Sequence, residues 1–322
     1  MPFPNAGSRH DYSSNPGQMS EYQNLLLNLV YLIKLLDAFS PPDLNEVYLV
    51  YELMDYSMRN LLSLPQTDPR NLKNLVFDQN NGDYLIADIL FQLFCGLRYL
   101  HQDKLKFIHR DIKPANILMR EVEARWLVKI CDLGLARHLT ENESQVTKYV
   151  VTWPYRAPEV LLRNNYGSPI DIWSVGCILG EILTGNLLFE RTNRNDQIFL
   201  ILCLVGFPNG TILPSHIQNE IRDHNYGPCR IGEYFTDDKL PNWTHQRLTK
   251  KFIRELLMKL LKFDPSQRLT AQQGVELPEF GFLRYRTGMI DIAPAPYTPM
   301  ENFSQTPEQW MSLIREQLQS YE

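Results

Sequence analysis

Residues 168–184, S-P-I-D-I-W-S-V-G-C-I-L-G-E-I-L-T, restrict this chain more than any other stretch, because they are apolar nearly all round the helix they would form. A helix with no wet face has to be enclosed by other elements. The chain must therefore build a large helical domain around it, and 322 residues suffice for one large or two ordinary domains with a real core. Ser168 can cap the helix, Pro169 suits its first turn, and Asp171 completes an S-x-x-D capping box. Gly185 stands where a helix stop belongs.

The rest of the sequence supplies the surrounding layers. Apolar residues at 86, 89, 90, 93, 97 and 100 predict an amphipathic helix over 84–102. Further helices are expected at 195–205, 251–262 and 307–320. Residues 47–52, V-Y-L-V-Y-E, read as a buried strand. Before them, a dense apolar stretch at 25–36 reads as the end of a helix running into a strand. Two strands near 32–39 and 46–52 would make a ribbon, which is marginal alone. A polar stretch rich in Pro, Asn and Gly at 63–83 reads as loop. The short apolar runs 117–119 and 127–130, parted by a charged turn, predict a hairpin. Strands concentrate before residue 55 and helices after it.

Charge and cysteine usage exclude several classes. A net charge of −5 does not indicate a basic nucleic-acid surface. Five scattered cysteines without a C-x-x-C pair fit a reducing compartment, not a disulfide scaffold or zinc ribbon. Residues 197–219 are uncharged, but Gly206, Pro208, Gly210 and Pro214 make them a short helix followed by a loop, not a membrane span. Residues 1–20 are polar and read as a flexible arm with no secretory signal.

The densest chemical signal is H-R-D-I-K-P-A-N at 109–116, followed by D-L-G at 132–134 and A-P-E at 157–159. These residue types suit phosphoryl transfer, which needs positioning and charge neutralisation more than covalent help. Asp111 is the carboxylate that would orient a hydroxyl and accept its proton, and Lys113 the cation that would meet the γ-phosphate. Asn116 and Asp132 offer the oxygens that Mg2+, a hard cation, requires. The hairpin between those two folds them toward each other. Motif residues in this order, on an expected loop and hairpin, are a far stronger signal than any one tripeptide.

On these motifs the chain resembles the eukaryotic protein kinases over about residues 21–322. The resemblance implies an α+β, two-lobed fold with a truncated β-rich small lobe and a complete, mainly helical large lobe. It implies ATP and Mg2+ as cofactors, and transfer of the γ-phosphate to Ser or Thr of protein substrates. Asp171 in D-I-W-S-V-G is similar to the aspartate that supports the catalytic loop, and Arg268 to the arginine that pairs with the A-P-E glutamate, here Glu159. The nucleotide would meet Lys113, Asn116 and Asp132, with Met54 at the hinge, Ser57 near the sugar and Leu118 as adenine floor. T-K-Y at 147–149 before Y-R-A-P-E at 155–159 resembles the mitogen-activated protein kinases of the CMGC group, the stress-activated members most. That implies regulatory phosphorylation of Thr147 and Tyr149 by an upstream dual-specificity kinase, with Arg110, Arg137 and Arg156 pairing the phosphates. The implied plan is an arm at 1–20 and a kinase domain at 21–283, with a small-lobe remnant at 21–54, a hinge at 52–57 and a large lobe at 58–283. An extension at 284–322 would pack back on the core. The expected compartment is the cytoplasm, with the nucleus as an alternative, and neither nucleic acid nor membrane is an expected partner.

The chain also departs from the family. No G-x-G-x-x-G precedes the hinge, and the first lysine, Lys34, falls after the helix position. This implies weak Mg-ATP binding and low turnover by residues 1–322. It leaves two alternatives open: an inactive pseudokinase or truncated scaffold that binds protein partners, or an incomplete reading of the gene. Leu133 replaces the usual Phe of D-F-G, and Ser57 stands where many relatives carry a ribose-binding Asp. Trp153 and Pro154 replace the Arg-aromatic pair before Tyr155.

Overall fold

The computed structural model describes residues 31–39, 47–103, 105–122, 125–138, 153–162, 164–190, 193–206, 219, 231–244 and 247–287. The arm at 1–20, Thr147 and Tyr149, and the helix expected at 307–320 lie outside these residues. Among the described residues there are two compact units, one of residues 33–53 and the other of residues 31–32 and 54–287.

The first unit holds a two-stranded ribbon. Strands β1 (Leu35–Phe39) and β2 (Tyr48–Tyr51) pair antiparallel, with Leu35 opposite Tyr51, Phe39 opposite Tyr48, and a bulge between Leu35 and Asp37. Phe39 and Tyr48 stack face to face, ring centroids 5.2 Å apart. Ala38 is buried, with Val47 and Leu49 against it. The strand expected to be buried is not: Tyr48, Val50 and Tyr51 are exposed. A β-branched, aromatic run sets the strand type, whereas burial depends on what covers the faces.

The second unit carries the rest. Strand β3 (Tyr56–Ser57) leads directly into helix α1 (Met58–Leu62). Helix α2 (Leu72–Phe77) lies inside the stretch expected to be loop. Asn71 caps it by accepting from the Lys73 amide, and Leu72 and Val76 are buried. The Pro and Asn content on either side masks this short helix in the sequence. Helix α3 (Gly82–Leu100) is buried along most of its length. It starts at a glycine because of a close approach: a Cβ on Gly82 would fall 2.0 Å from the Val76 carbonyl oxygen, to which the Trp243 indole N–H donates at 2.8 Å.

Strands β4 (Phe107–Ile108), β5 (Ile117–Val122), β6 (Arg125–Ile130) and β7 (Arg137–His138) follow. β5 and β6 form the expected hairpin, Ile117 opposite Ile130, with β3 on the other side of β5. The Gln92 side chain on α3 grips β6, donating to the Trp126 carbonyl and accepting from the Val128 amide, both at 2.9 Å. β4 pairs with β7, Ile108 opposite Arg137.

The remaining helices are α4 (Pro158–Leu161), α5 (Pro169–Thr184), α6 (Arg194–Val205), α7 (Ile231–Tyr234), α8 (Lys250–Leu260), α9 (Ala271–Val275) and α10 (Gly281–Thr287). α10 crosses the boundary expected at 283/284. As its composition requires, α5 is the enclosed helix, buried from Ile170 through Leu183. Trp173 stacks on Phe189, centroids 5.5 Å apart. Gly185 ends α5 in the left-handed conformation at φ 74° and donates to the Glu181 carbonyl. The capping box expected at its start does not form: Ser168 makes no side-chain cap, and Asp171 turns inward. No helix among the described residues is long and apolar enough to cross a membrane. No disulfide joins Cys95, Cys131, Cys177 or Cys203 among the described residues.

Candidate active site

Two residues that are not glycine take the left-handed backbone here, Arg110 (φ 70°) and Asp132 (φ 63°). Such conformations cost on the order of 1–3 kcal/mol each and persist only where surrounding contacts enforce them. At Arg110 the enforcing group is the carboxylate of Asp171. Its Oδ2 accepts from the His109 amide and faces His101 Nε2, and its Oδ1 accepts from the Arg110 amide, all at 2.9 Å. Three donors inside the protein hold this carboxylate better than one exposed amide at the helix start, which is why the capping box is absent.

The same contacts set its acidity. Burial alone would push the Asp171 carboxyl up, but the hydrogen bond and charge of His101 and the His109 amide hold it below the ordinary carboxylate value. A depressed folded-state pKa contributes stability above the unfolded pKa of about 3.9, lost as pH falls through the folded value. Asp171→Asn is therefore expected to be less stable at neutral pH, with a shallower loss of stability below about pH 4. Urea unfolding at a series of pH values checks this, and parallel curves for both proteins would contradict it.

His109 is fully buried and joins the loop to the next strand. Its Nε2 faces the Cys131 carbonyl at 3.0 Å, and its Nδ1 accepts from the Asp111 amide at 3.3 Å, so the proton belongs on Nε2. The Cys131 amide donates to the Asn116 carbonyl at 2.9 Å. The Cys131 thiol is pushed up to about 12, chiefly by burial and then by the Asp132 charge. These links place 109–116 beside 131–134, as the hairpin implied.

Asp111 is almost wholly buried. Its Oδ2 accepts from Lys113 Nζ at 2.6 Å and from Asn116 Nδ2 at 3.0 Å. The Asn116 amide also donates to the Asp111 carbonyl at 2.9 Å. With its nitrogen so committed, Asn116 presents its amide oxygen, and Asp132 is an exposed carboxylate that accepts from the Gly134 amide at 3.2 Å. An amide oxygen and a carboxylate on adjoining segments are the hard donor set that Mg2+ takes, so the residues present fit that ion. No cluster of three or more His, Cys, Asp or Glu among the described residues could hold a metal by itself.

Arg156 stands beside this group. Burial holds its guanidinium below the ordinary value, and the Asp111 charge offsets part of the shift. Arg110 lies over the Tyr166 ring, 5.9 Å from its centroid. Arg137 is the register partner of Ile108, two residues before Arg110. Glu159 and Arg268 form a buried bidentate pair at 2.6 and 2.7 Å. Of the residues expected at the nucleotide, Leu118 is the register partner of Ser57, and Met54 is half-buried. Ser57 is less available than its position suggested: its hydroxyl donates to Asn60 Oδ1 at 2.6 Å and accepts from the Asn60 amide at 3.1 Å, closing the α1 capping box. Sequence reading assigned no role to His101, Arg59 or Glu181, whose partners lie far away in the chain.

A buried carboxylate, a neighbouring ammonium and two hard oxygen donors on one loop and hairpin are a set of groups that suits phosphoryl transfer. A protein kinase domain matches residues 17–280. The chain is 36% identical over 312 residues to the stress-activated protein kinase JNK of Drosophila melanogaster, covering 92% of this chain and 77% of that protein. It is 32% identical over 306 residues to the stress-activated protein kinase jnk-1 of Caenorhabditis elegans, covering 92% and 61%. It is 36% identical over 250 residues to the mitogen-activated protein kinase spm1 of Schizosaccharomyces pombe, covering 76% and 53%. The chain belongs to the protein kinase family, among its mitogen-activated members. Its activity class is that of a serine/threonine protein kinase, and the scaffold alternative is not favoured.

Proposed function

We propose that this kinase moves the γ-phosphate of ATP to a Ser or Thr hydroxyl of a protein through Asp111, in a stress- or mitogen-activated pathway. The observation that carries the reading is the contact of Asp111 with Lys113 and Asn116 on a loop suspended from Asp171. The acceptor oxygen attacks the γ-phosphorus, the bond to the bridging oxygen breaks, and ADP leaves with that electron pair. Asp111 orients the attacking hydroxyl and takes its proton. Lys113 meets the charge that spreads over the γ-phosphate oxygens. Asn116 and Asp132 would hold Mg2+, which would supply charge neutralisation at the phosphates.

Thr147 and Tyr149 are the proposed switch, phosphorylated by an upstream dual-specificity kinase and paired by Arg110, Arg137 and Arg156. The proposed compartment is the cytoplasm or nucleus. The test is transfer of label from γ-labelled ATP to a generic basic protein across a Mg2+ titration. Asp132→Asn is expected to raise the Mg2+ concentration for half-maximal rate about tenfold or more, a loss of about 1.4 kcal/mol or more of metal binding. Transfer that survives chelation, or an unshifted Mg2+ dependence in the variant, would overturn the metal assignment.

A further inference from the structure

We propose that Gln92 and Gly96, on one face of α3, are positioning residues for the metal ligands: they set where β6 delivers Asp132 relative to Asn116. The assignment rests on the kinase reading above and adds residues remote from the reacting atoms.

Asn116 and Asp132 stand at the open end of one hairpin. Asn116 directly precedes β5, and Asp132 follows the last residue of β6 by two. Within the hairpin the ladder fixes the strands against each other, Met119 opposite Val128 and Ile117 opposite Ile130, with all four residues buried. The outer edge of β6 is held by α3. Gln92 is 7% exposed, donates from Nε2 to the Trp126 carbonyl and accepts at Oε1 from the Val128 amide, both at 2.9 Å. A side-chain amide that donates and accepts in this way does the work of a neighbouring strand. Four residues on, and so on the same face of the helix, Gly96 meets the end of β6. A Cβ there would fall 3.0 Å from Ile130 Cδ1 and 3.3 Å from the Tyr31 carbonyl oxygen, which accepts from the Ile130 amide at 2.9 Å. The missing Cβ lets β6 and Tyr31 close on the helix together.

Beyond Ile130 the chain has little slack. The Cys131 amide donates to the Asn116 carbonyl at 2.9 Å, and the Cys131 carbonyl faces His109 Nε2 at 3.0 Å. The other end of α3 bears on the other ligand. Its C-cap, His101, faces Asp171, from which the loop that leads to Asn116 hangs. One helix therefore references both ligands, Asn116 through His101 and Asp132 through Gln92 and Gly96. Metal–ligand distances have to hold to about 0.2 Å, so a small displacement of β6 is felt as lost affinity.

Gln92→Met keeps the length of the side chain and removes both hydrogen bonds. Gly96→Ala leaves Gln92 in place and presses on Ile130 and Tyr31 instead, so the test does not hang on one substitution. Binding of Mn2+ in the presence of ADP, read from the loss of the free-ion EPR signal, is measured for each variant, with the Mg2+ dependence of transfer and thermal unfolding alongside. Both variants are expected to bind Mn2+ about three- to tenfold more weakly, at or below the low end for groups that orient ligands without touching the metal. The Mg2+ concentration for half-maximal transfer is expected to rise by the same factor, with the rate at saturating Mg2+ within about twofold of wild type. Unchanged Mn2+ affinity in either variant overturns the positioning role and leaves the kinase reading standing. Rate lost in equal proportion at every Mg2+ concentration, together with a lowered unfolding midpoint, marks a merely structural role and also overturns it. A wild-type protein that binds no Mn2+ with ADP overturns the metal assignment above, and the positioning role falls with it.

Discussion

Asp111→Asn is expected to slow phosphoryl transfer by about 10²–10⁴-fold at saturating ATP, the range for removing a positioned general base. Asparagine has the same shape, so the buried site keeps its packing. Lys113 loses the anion 2.6 Å from its ammonium, whereas the Asn116 amide keeps the Asp111 carbonyl at 2.9 Å. The loop itself hangs from Asp171, which the substitution does not touch. The unfolding midpoint is therefore expected to move by only a few degrees while the rate collapses. Single-turnover rates of the two proteins measure the effect, and a loss under about tenfold would mean that Asp111 is not the base.

Breaking the Glu159–Arg268 pair is expected to have the largest effect on stability. Arg268 uses its whole donor fork. Nη1 donates to Glu159 Oε1 and the Pro169 carbonyl, Nη2 to Glu159 Oε2 and the Phe263 carbonyl, and Nε to the Lys262 carbonyl. Its guanidinium also lies over Trp173, 5.1 Å from the ring centroid. Both partners are about 5% exposed, so removing either leaves a charge in a dry site. Glu159→Leu or Arg268→Leu is expected to destabilise by about 3–5 kcal/mol. At about 2–4 °C per kcal/mol, that is roughly 6–20 °C in Tm. The double substitution to apolar residues should cost less than the two single changes added together, because no unpaired charge remains. Simple additivity in urea unfolding would contradict this account. The pair ties the segment after Arg156 to the start of α5, so its loss should also reduce activity.

Much of this arrangement was legible in the sequence because local pattern and local chemistry agreed. An all-round apolar run could only be the enclosed helix α5, and 117–119 with 127–130 could only be a short hairpin. The residue types in 109–116 and 132–134 named their own chemistry. What stayed hidden depends on partners remote in the chain. Local pattern read Asp171 only as a capping residue; its support of the catalytic loop came from the kinase resemblance, and the partners that provide it, His101, His109 and Arg110, lie far away in sequence. Arg59, Tyr155 and Glu181 hydrogen-bond to one another from three elements whose spacings give no periodic signal. Strand β2 shows the converse error: its β-branched and aromatic residues gave the strand, but nothing local says whether its faces are covered. In α2, flanking Pro and Asn hid six helical residues that Asn71 nevertheless caps.

The central claim is that Asp171 suspends a loop on which Asp111, Lys113 and Asn116 are already assembled for transfer to a hydroxyl. Single-turnover incubation of residues 1–322 with γ-labelled Mg-ATP and a generic basic protein, followed by phosphoamino-acid analysis, tests it most directly. The account predicts slow labelling of Ser and Thr, because no Gly-rich loop precedes the hinge in this sequence. The label should vanish on chelation and in Asp111→Asn. Labelling that persists in Asp111→Asn, or no labelling by the wild-type protein, would contradict it.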